Sequence, residues 1–388
     1  MIYSASLHTF EIDRPEVALE ELQSQLNEKI TLRRNSAAII QCDPEYIDSG
    51  VAALVCRELP FPVVGCTTAA QATNDAVGEL MLTLLVLTSD DVEFETAHTS
   101  GLGQDLFGAL NRSFETISGG RSEAPAMAFV FSTIIDEYPG DWYYEAFEGH
   151  FGNIPVFGTL AIDDAITDFT RLVSIHGDQA FMTETCYLLL YGDLSPRFFI
   201  TSIPDGSVTA HLGEITKANN NVIVEIDGAP TADFFSKNGF ADGGVMREGV
   251  DFIPFIISRK GSELESMPIT RALIGLNPDG TATSRGLVYE GATIAVVSNS
   301  GAELLDLAAE MAETVNKEEN IGALLLFSCI VRRMAMGESL SEAVNIRNLL
   351  RHDIPFMFAH SGGEICPVSL QGESENRFHN YALIACAI

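Results

Sequence analysis

Six residues toward the end of the chain, Ser328, Cys329, Arg332, His360, Ser361 and Glu364, have side chains suited to holding a small polar molecule, and they cluster just beyond two apolar runs. The runs are Ala323-Leu324-Leu325-Leu326-Phe327 and Ile354-Pro355-Phe356-Met357-Phe358, separated by a helical pattern that reaches Arg351. Strand, helix, strand in that order predicts two parallel strands joined by a right-handed crossover. Ligands of open parallel sheets sit beyond the carboxyl ends of the strands, so these residues should converge on one rim. Each also has a plain structural use, Ser328 as a helix cap and the glycines after Ser361 as a turn.

Arg332 lies one turn into the helix that Ser328 would cap, and Glu364 lies in the loop after the neighbouring strand, so both charges should approach one helix N-terminus. They can pair with each other. Held apart, they suit a zwitterion: Arg332 and the helix-end amides take a carboxylate, Glu364 an ammonium, and His379, Asn380 and Thr68 fix its orientation. Cys66 and Cys329 end strands where a helix N-terminus can make a thiol reactive; the alternative is a small buried filler. Among eight histidines without metal-ligand spacing, His360 and His379 stand out by falling at the predicted rim, although a structural histidine bonded to backbone is the simpler reading.

Other chemistries lack their motifs. Ala359-His360-Ser361-Gly362-Gly363 has no leading glycine for a nucleophile elbow, Gly101-Leu102-Gly103 with Gly108 has the wrong spacing for a dinucleotide fingerprint, and the phosphate-loop and HExxH patterns are absent. No nucleophile, base and orienter can be assembled with motif support, so no turnover is expected.

The elements that position these residues recur. Pro62-Val63-Val64-Gly65-Cys66-Thr67-Thr68 ends a first strand-helix-strand unit over residues 37–66, and Ile154-Pro155-Val156-Phe157-Gly158-Thr159 ends a second over 127–158; the C-terminal unit covers 322–360. Internal duplication is the economical explanation. Runs without intervening helices, such as Glu79 to Thr88, Val92 to Ala97, Phe169 to His176 and Ala180 to Tyr191, predict antiparallel extensions and hence mixed sheets. The expected fold class is α/β: two domains with mixed sheets, made of repeated parallel strand-helix-strand units with antiparallel extensions. Pro204-Asp205-Gly206 is the best linker candidate, dividing the chain into 1–207 and 208–388.

At 388 residues, two domains also suit the length. A formal charge of -32 repels phosphate backbones and anionic lipid, so nucleic acid and membrane are not expected partners. Seven irregularly spaced cysteines support reduced thiols rather than a disulfide framework or a zinc site. With no leader-like N-terminus and no apolar run of membrane-span length, a cytoplasmic location is expected.

At this point the chain resembles the FIST family, which joins a FIST-N to a FIST-C domain. Ile215-Thr216-Lys217-Ala218-Asn219-Asn220-Asn221 and Glu225-Ile226-Asp227-Gly228 look like the start of FIST-C, and Asp279-Gly280, Glu290-Gly291, Phe327-Ser328-Cys329 with Arg332, Gly363-Glu364-Ile365 and His379-Asn380 follow in the family's order. Gly65-Cys66-Thr67-Thr68-Ala69 is similar to the FIST-N motif Gly-Cys-Ser-Thr-Ala-Gly-Glu, with Ala70-Gln71 in place of its Gly-Glu. Phe358-Ala359-His360-Ser361-Gly362 replaces an aromatic stretch, and Tyr381-Ala382 replaces Gln-Thr. The resemblance implies a FIST-N domain at 1–207, a FIST-C domain at 208–388, and a cytoplasmic sensory protein for signal transduction. Its ligand would be a small polar, amino-acid-like molecule held between the two domains, and its partner a signalling protein such as a histidine kinase. The implied ligand-binding set is Cys66, Thr67, Thr68, Ser328, Cys329, Arg332, His360, Ser361, Glu364, His379 and Asn380. No cofactor is expected, with two alternatives kept: a haem-based nitric-oxide sensor, as some members are, with His360 as axial ligand, and a cysteine-dependent small-molecule enzyme.

Overall fold

The strands around Gly65, Gly158 and Phe358 are near-continuous apolar runs because both faces of each are covered. The computed structural model describes the chain except residues 103–104, 119–120, 122, 136–137, 164–170, 205–206, 243, 249, 251 and 274. A first repeat comprises β1 (Tyr3–Thr9), α1 (Pro15–Lys29), β2 (Asn35–Cys42), α2 (Glu45–Asp48), α3 (Val51–Glu58), β3 (Val63–Thr67), the hairpin β4 (Gln71–Thr73) and β5 (Val77–Gly78), and β6 (Leu82–Ser89). The second has the same plan: β7 (Glu93–His98), α4 (Leu106–Ser118), β8 (Met127–Ser132), α5 (Asp141–Phe151), β9 (Val156–Leu160), β10 (Ser174–His176), β11 (Gln179–Phe181) and β12 (Cys186–Tyr191).

The third repeat opens with β13 (Arg197–Thr201) and is then interrupted. The insertion contains β14 (Val208–Asn219), β15 (Val222–Ile226), β16 (Ala229–Pro230), α6 (Thr231–Lys237), β17 (Ala241–Asp242), β18 (Val245–Met246), β19 (Ile253–Ser258), α7 (Glu263–Ser266), β20 (Ile269–Leu273), β21 (Ala282–Thr283) and β22 (Thr293–Val297). The repeat resumes with α8 (Gly301–Asn316), opened by a Ser300/Glu303 capping box. It ends with β23 (Leu324–Cys329), α9 (Ile330–Ala335), α10 (Ser341–Leu349), β24 (Phe356–Ser361), β25 (Glu364–Leu370), β26 (Glu373–His379) and β27 (Leu383–Ala387).

Three six-stranded sheets share one order: β1-β6-β2-β3-β10-β11, β7-β12-β8-β9-β25-β26 and β13-β27-β23-β24-β4-β5. The central pairs β2/β3, β8/β9 and β23/β24 are parallel, as the sequence pattern predicts, with antiparallel neighbours around them. Each sheet also borrows a hairpin from another repeat: β4–β5 joins β24, β10–β11 joins β3, and β25–β26 joins β9. The expected linker at 205–206 lies outside the described residues, as do 169–170 of the expected strand reaching His176 and 274 of the expected strand 269–274. Strand pairing crosses the expected division at 207/208, because β13 lies beside β27 and β4 beside β24.

Alternation along the strands builds the layers. Ile39, Leu85, Phe129, Leu188, Leu325 and Ile384 point from all three sheets into one shared core. Their sequence neighbours Ile40, Val130 and Leu326 face outward, each into a separate core under its own helices. Full burial of one such side chain contributes about 1.5–3 kcal/mol. The insertion has its own sheet, β16-β15-β14-β22-β19-β20, and its own core around Ile223, Phe235, Phe255 and Ile294.

Register supports the duplication. Cys66 lies opposite Gln41 and Ser174, Thr159 opposite Phe131 and Glu364, and Ala359 opposite Phe327 and Gln71, so Cys66, Thr159 and Ala359 are equivalent. The preceding glycines have a shared cause: a Cβ on Gly65 would lie 1.8 Å from the Ile40 carbonyl oxygen, and one on Gly158 2.1 Å from that of Val130.

Candidate functional site

The three second parallel strands end at a common ring of backbone hydrogen bonds. The Ile162 amide donates to the Thr67 carbonyl (3.1 Å) and Gly362 to Leu160 (2.9 Å); in the reciprocal sense Leu160 donates to Gly363 (3.0 Å) and His360 to Ala70 (3.1 Å). Thr67, Leu160 and His360 hold equivalent positions, so the ring follows the repeat symmetry. It joins the end of the first repeat's strand to the third repeat through the His360 amide on the Ala70 carbonyl.

Chemistry differs around the ring. In the first repeat, Gln71 Nε2 donates to Thr68 Oγ1 (2.9 Å) and to the Thr68 carbonyl (3.2 Å). Its equivalent in the third repeat is Glu364, fully buried, with Oε1 2.6 Å from Ser361 Oγ. Ser361 Oγ is also 3.2 Å from the Ser328 carbonyl oxygen, which can only accept. The Ser361 hydroxyl donates toward both oxygens with one proton, and a protonated Glu364 would relieve that competition by donating to Ser361 instead. Burial supports that state, raising the Glu364 pKa well above the carboxylate range, with the Ser361 hydroxyl opposing it in part. Glu364 Oε2, Gln71 Oε1, His379 Nε2 and Asn380 Oδ1 are buried with no hydrogen-bond partner among the described residues.

Arg332 is placed differently from the expected pairing with Glu364 or with a ligand carboxylate. It is fully buried against Glu342, Nη2 2.6 Å and Nε 3.1 Å from Oε1, and it also donates to the carbonyls of Leu304 (3.2 Å) and Ser202 (3.3 Å). Ser328 does not cap the helix: its hydroxyl donates to Glu342 Oε2 (2.5 Å), and Cys329 stands at the N-cap without a side-chain bond. Both corrections have one cause. The helical pattern to Arg351 is broken after α9 at Gly337 and Glu338, both at positive φ, and α10 returns Glu342 over Ser328 and Arg332. Ten residues of unbroken helix would have carried Glu342 about 15 Å away.

His360 and His379 are both held below the ordinary imidazole range. Burial pushes His360 down to about 4, and burial with Arg271 and Arg377 nearby pushes His379 down to about 3. His360 is fully buried and stands edge-on to Phe358 (5.1 Å between centroids), with neither ring nitrogen bonded among the described residues. Both candidate thiols are deeply buried, Cys66 donating to Gln41 Oε1 (3.5 Å), and burial raises both pKa values, which opposes thiolate chemistry. Among the described residues no group of three His, Cys, Asp or Glu is placed to hold a metal.

Above the ring lies a cavity walled by Ile134 and Ile162 of the second repeat, Cys329, Val331 and Asn380 of the third, and Ala272 and Arg285 of the insertion. Its open volume is ≈ 20 Å³, room for about one water. Asn380 joins the cavity to the polar groups below: its amide donates to the Thr270 carbonyl (3.2 Å), and its neighbour His379 is the cross-strand partner of Glu364. Sequence reasoning missed Glu342, Thr270 and Ala272. The Met336-Gly337-Glu338 break was the signal for the first; nothing in the sequence announced the other two.

Residues 36–229 match the FIST N domain model and residues 235–367 the FIST C domain model. No curated protein matches the chain.

Proposed function

The chain belongs to the FIST family, and on that premise we propose that it senses a small polar metabolite at the ring cavity and passes the signal to a protein partner. FIST domains are sensory, ligand-binding domains of signal transduction rather than catalytic ones. Among the described residues no helix is long and apolar enough to cross a membrane. We place the FIST-N domain at 1–207, the FIST-C domain at 208–388, and the protein in the cytoplasm, where a histidine kinase is a suitable class of partner.

The observation that carries this reading is the buried side-chain oxygen of Asn380, a residue of the cavity wall, which lacks a partner among the described residues. An orphaned buried acceptor costs about 1–3 kcal/mol, which a ligand donor recovers. An amino-acid-like ligand remains the proposed class, recognised differently from the zwitterion clamp of Arg332 and Glu364. A ligand carboxylate would have to displace Glu342 from Arg332, and Glu364 offers a protonated acid. Recognition therefore rests on hydrogen bonds from the ligand to Asn380, Glu364 and His379.

A thermal-shift screen of free amino acids and related small metabolites tests the proposal. A ligand at about 100 times its Kd adds roughly 2.7 kcal/mol of stability, enough to move the midpoint visibly. A screen without a single concentration-dependent shift would contradict it.

A further inference from the structure

The first two repeats pass from their opening strand to the next helix by short links, residues 10–14 and 99–105, whereas the third inserts a whole sheet with its own core at that point. The insertion supplies Ala272 and Arg285 to the cavity wall. Its described attachments to the body are largely polar: Arg271 is buried beside Asp141 at 3.3 Å and donates to the Phe378 carbonyl, and Arg259 pairs with Glu375 at 2.9 Å. Three amides bridge the junction: Gly140 to the Arg285 carbonyl, Leu287 to Asp141 Oδ2, and Asn380 to the Thr270 carbonyl. Buried Arg377 adds bonds to the Met267 and Leu264 carbonyls, and apolar contact across the junction includes Phe252 against Tyr381 and Ala272 in one cluster with Ala69, Ile162 and Cys329.

We infer that the described residues of 208–297 form a hinged cover over the ring cavity, latched by the Asp141–Arg271 pair, and that the cover opens to admit ligand. The inference rests on the small-molecule reading above. A cavity with room for one water cannot take a metabolite without movement. Of the elements around it, the insertion has an independent core and two chain crossings to the body, near residues 202 and 298. Polar junctions of this kind permit relative motion. A buried ion pair also suits a latch, because both charges regain hydration on release and offset much of the attraction lost. Ligand shifts the balance only by its differential affinity for the open and closed forms.

Hydrogen exchange on the full chain tests this. The junction amides of Gly140, Leu287 and Asn380 should exchange at least about tenfold faster than the ring amides of Leu160 and Gly362. Asp141→Asn, which keeps a carbonyl oxygen for the Leu287 amide but removes the charge, should accelerate the junction amides about tenfold more and leave the ring amides unchanged. If Asp141→Asn does not fold, Glu375→Gln at the half-exposed Arg259 pair should produce the same selective acceleration, smaller in size. Junction and ring amides exchanging at one rate, in the native protein and in the variant, would overturn the cover. In that event metabolite shifts lost on altering Asn380 would leave the binding reading standing, and selective junction exchange without any metabolite shift would do the reverse.

Discussion

The strand ends of the first and third repeats, residues 66–71 and 359–364, have the same pairing and the same place in the ring, yet they carry opposite chemistry. In the first, Gln71 is a neutral amide that satisfies its donor on Thr68 within the same turn. In the third, Glu364 is a buried acid leaning on Ser361, with His360 and His379 held neutral beside it and a buried ion pair behind it. Duplication copied the backbone, and the ionisable groups gathered in the one repeat that is also covered by an insertion. A symmetric scaffold thus becomes asymmetric at the proposed ligand site.

The difference can be broken most forcefully at Glu342. Glu342→Ala leaves Arg332 buried without its carboxylate and Ser328 without its acceptor, which should cost on the order of 3–5 kcal/mol. Gln71→Leu in the first repeat, losing only hydrogen bonds to Thr68, should cost about 1–2 kcal/mol. Urea unfolding of the two variants checks the ranking, and equal losses would deny the third repeat its special status.

Next in size is the pH response. The folded pKa of His360, about 4, lies below the ordinary 6.5, so the unfolded chain takes up the proton first as pH falls. Stability is lost from pH 6.5 down to about 4, on the order of 3 kcal/mol over the whole window and about 1 kcal/mol by pH 5.5. His379 contributes in the same sense, down to about pH 3. In His360→Leu the loss between pH 7 and 5.5 should shrink; an unchanged slope would mean that the imidazole already titrates normally.

Glu364 acts with the opposite sign. Its raised pKa means that the folded state keeps a proton that the unfolded state releases above about 4.5, so stability falls as pH rises through that window toward the folded pKa. Glu364→Gln, which gives the third repeat the amide of the first, should therefore be more stable than the native protein at pH 7, with the gain fading toward pH 5. Stability that falls at pH 7 in this variant would show that Glu364 is ionised in the fold.

Much of this was legible in the sequence, and the limits have physical causes. Apolar runs closed by Gly-Cys-Thr and Gly-Thr announced the parallel units, because a strand buried on both faces has to be apolar and a close backbone approach has to be glycine. The exchange of hairpins was invisible: β4 pairs with β24, Gln71 opposite Ala359, and no local pattern encodes so distant a partner. Thr67, Thr68, Ser361 and Glu364 were expected at one rim because ligands of parallel sheets sit beyond the carboxyl ends of the strands. Arg332 was misread because one continuous helix was assumed, whereas Gly337 and Glu338 turn the chain back. The cover was illegible for a related reason, since Ala272 and Thr270 acquire their roles only through where the insertion docks.

The smallest effect on stability belongs to the residue on which the account most depends. Asn380→Leu removes an orphaned buried oxygen and should leave the unfolding midpoint within about 0.5 kcal/mol of the native value, or above it. The direct test is to take the metabolite that gives the largest thermal shift with the native protein and repeat the titration on Asn380→Leu and on Gln71→Leu. The account predicts that the shift disappears in Asn380→Leu and persists in Gln71→Leu. A shift that survives undiminished in Asn380→Leu would place the ligand away from the ring cavity and contradict it.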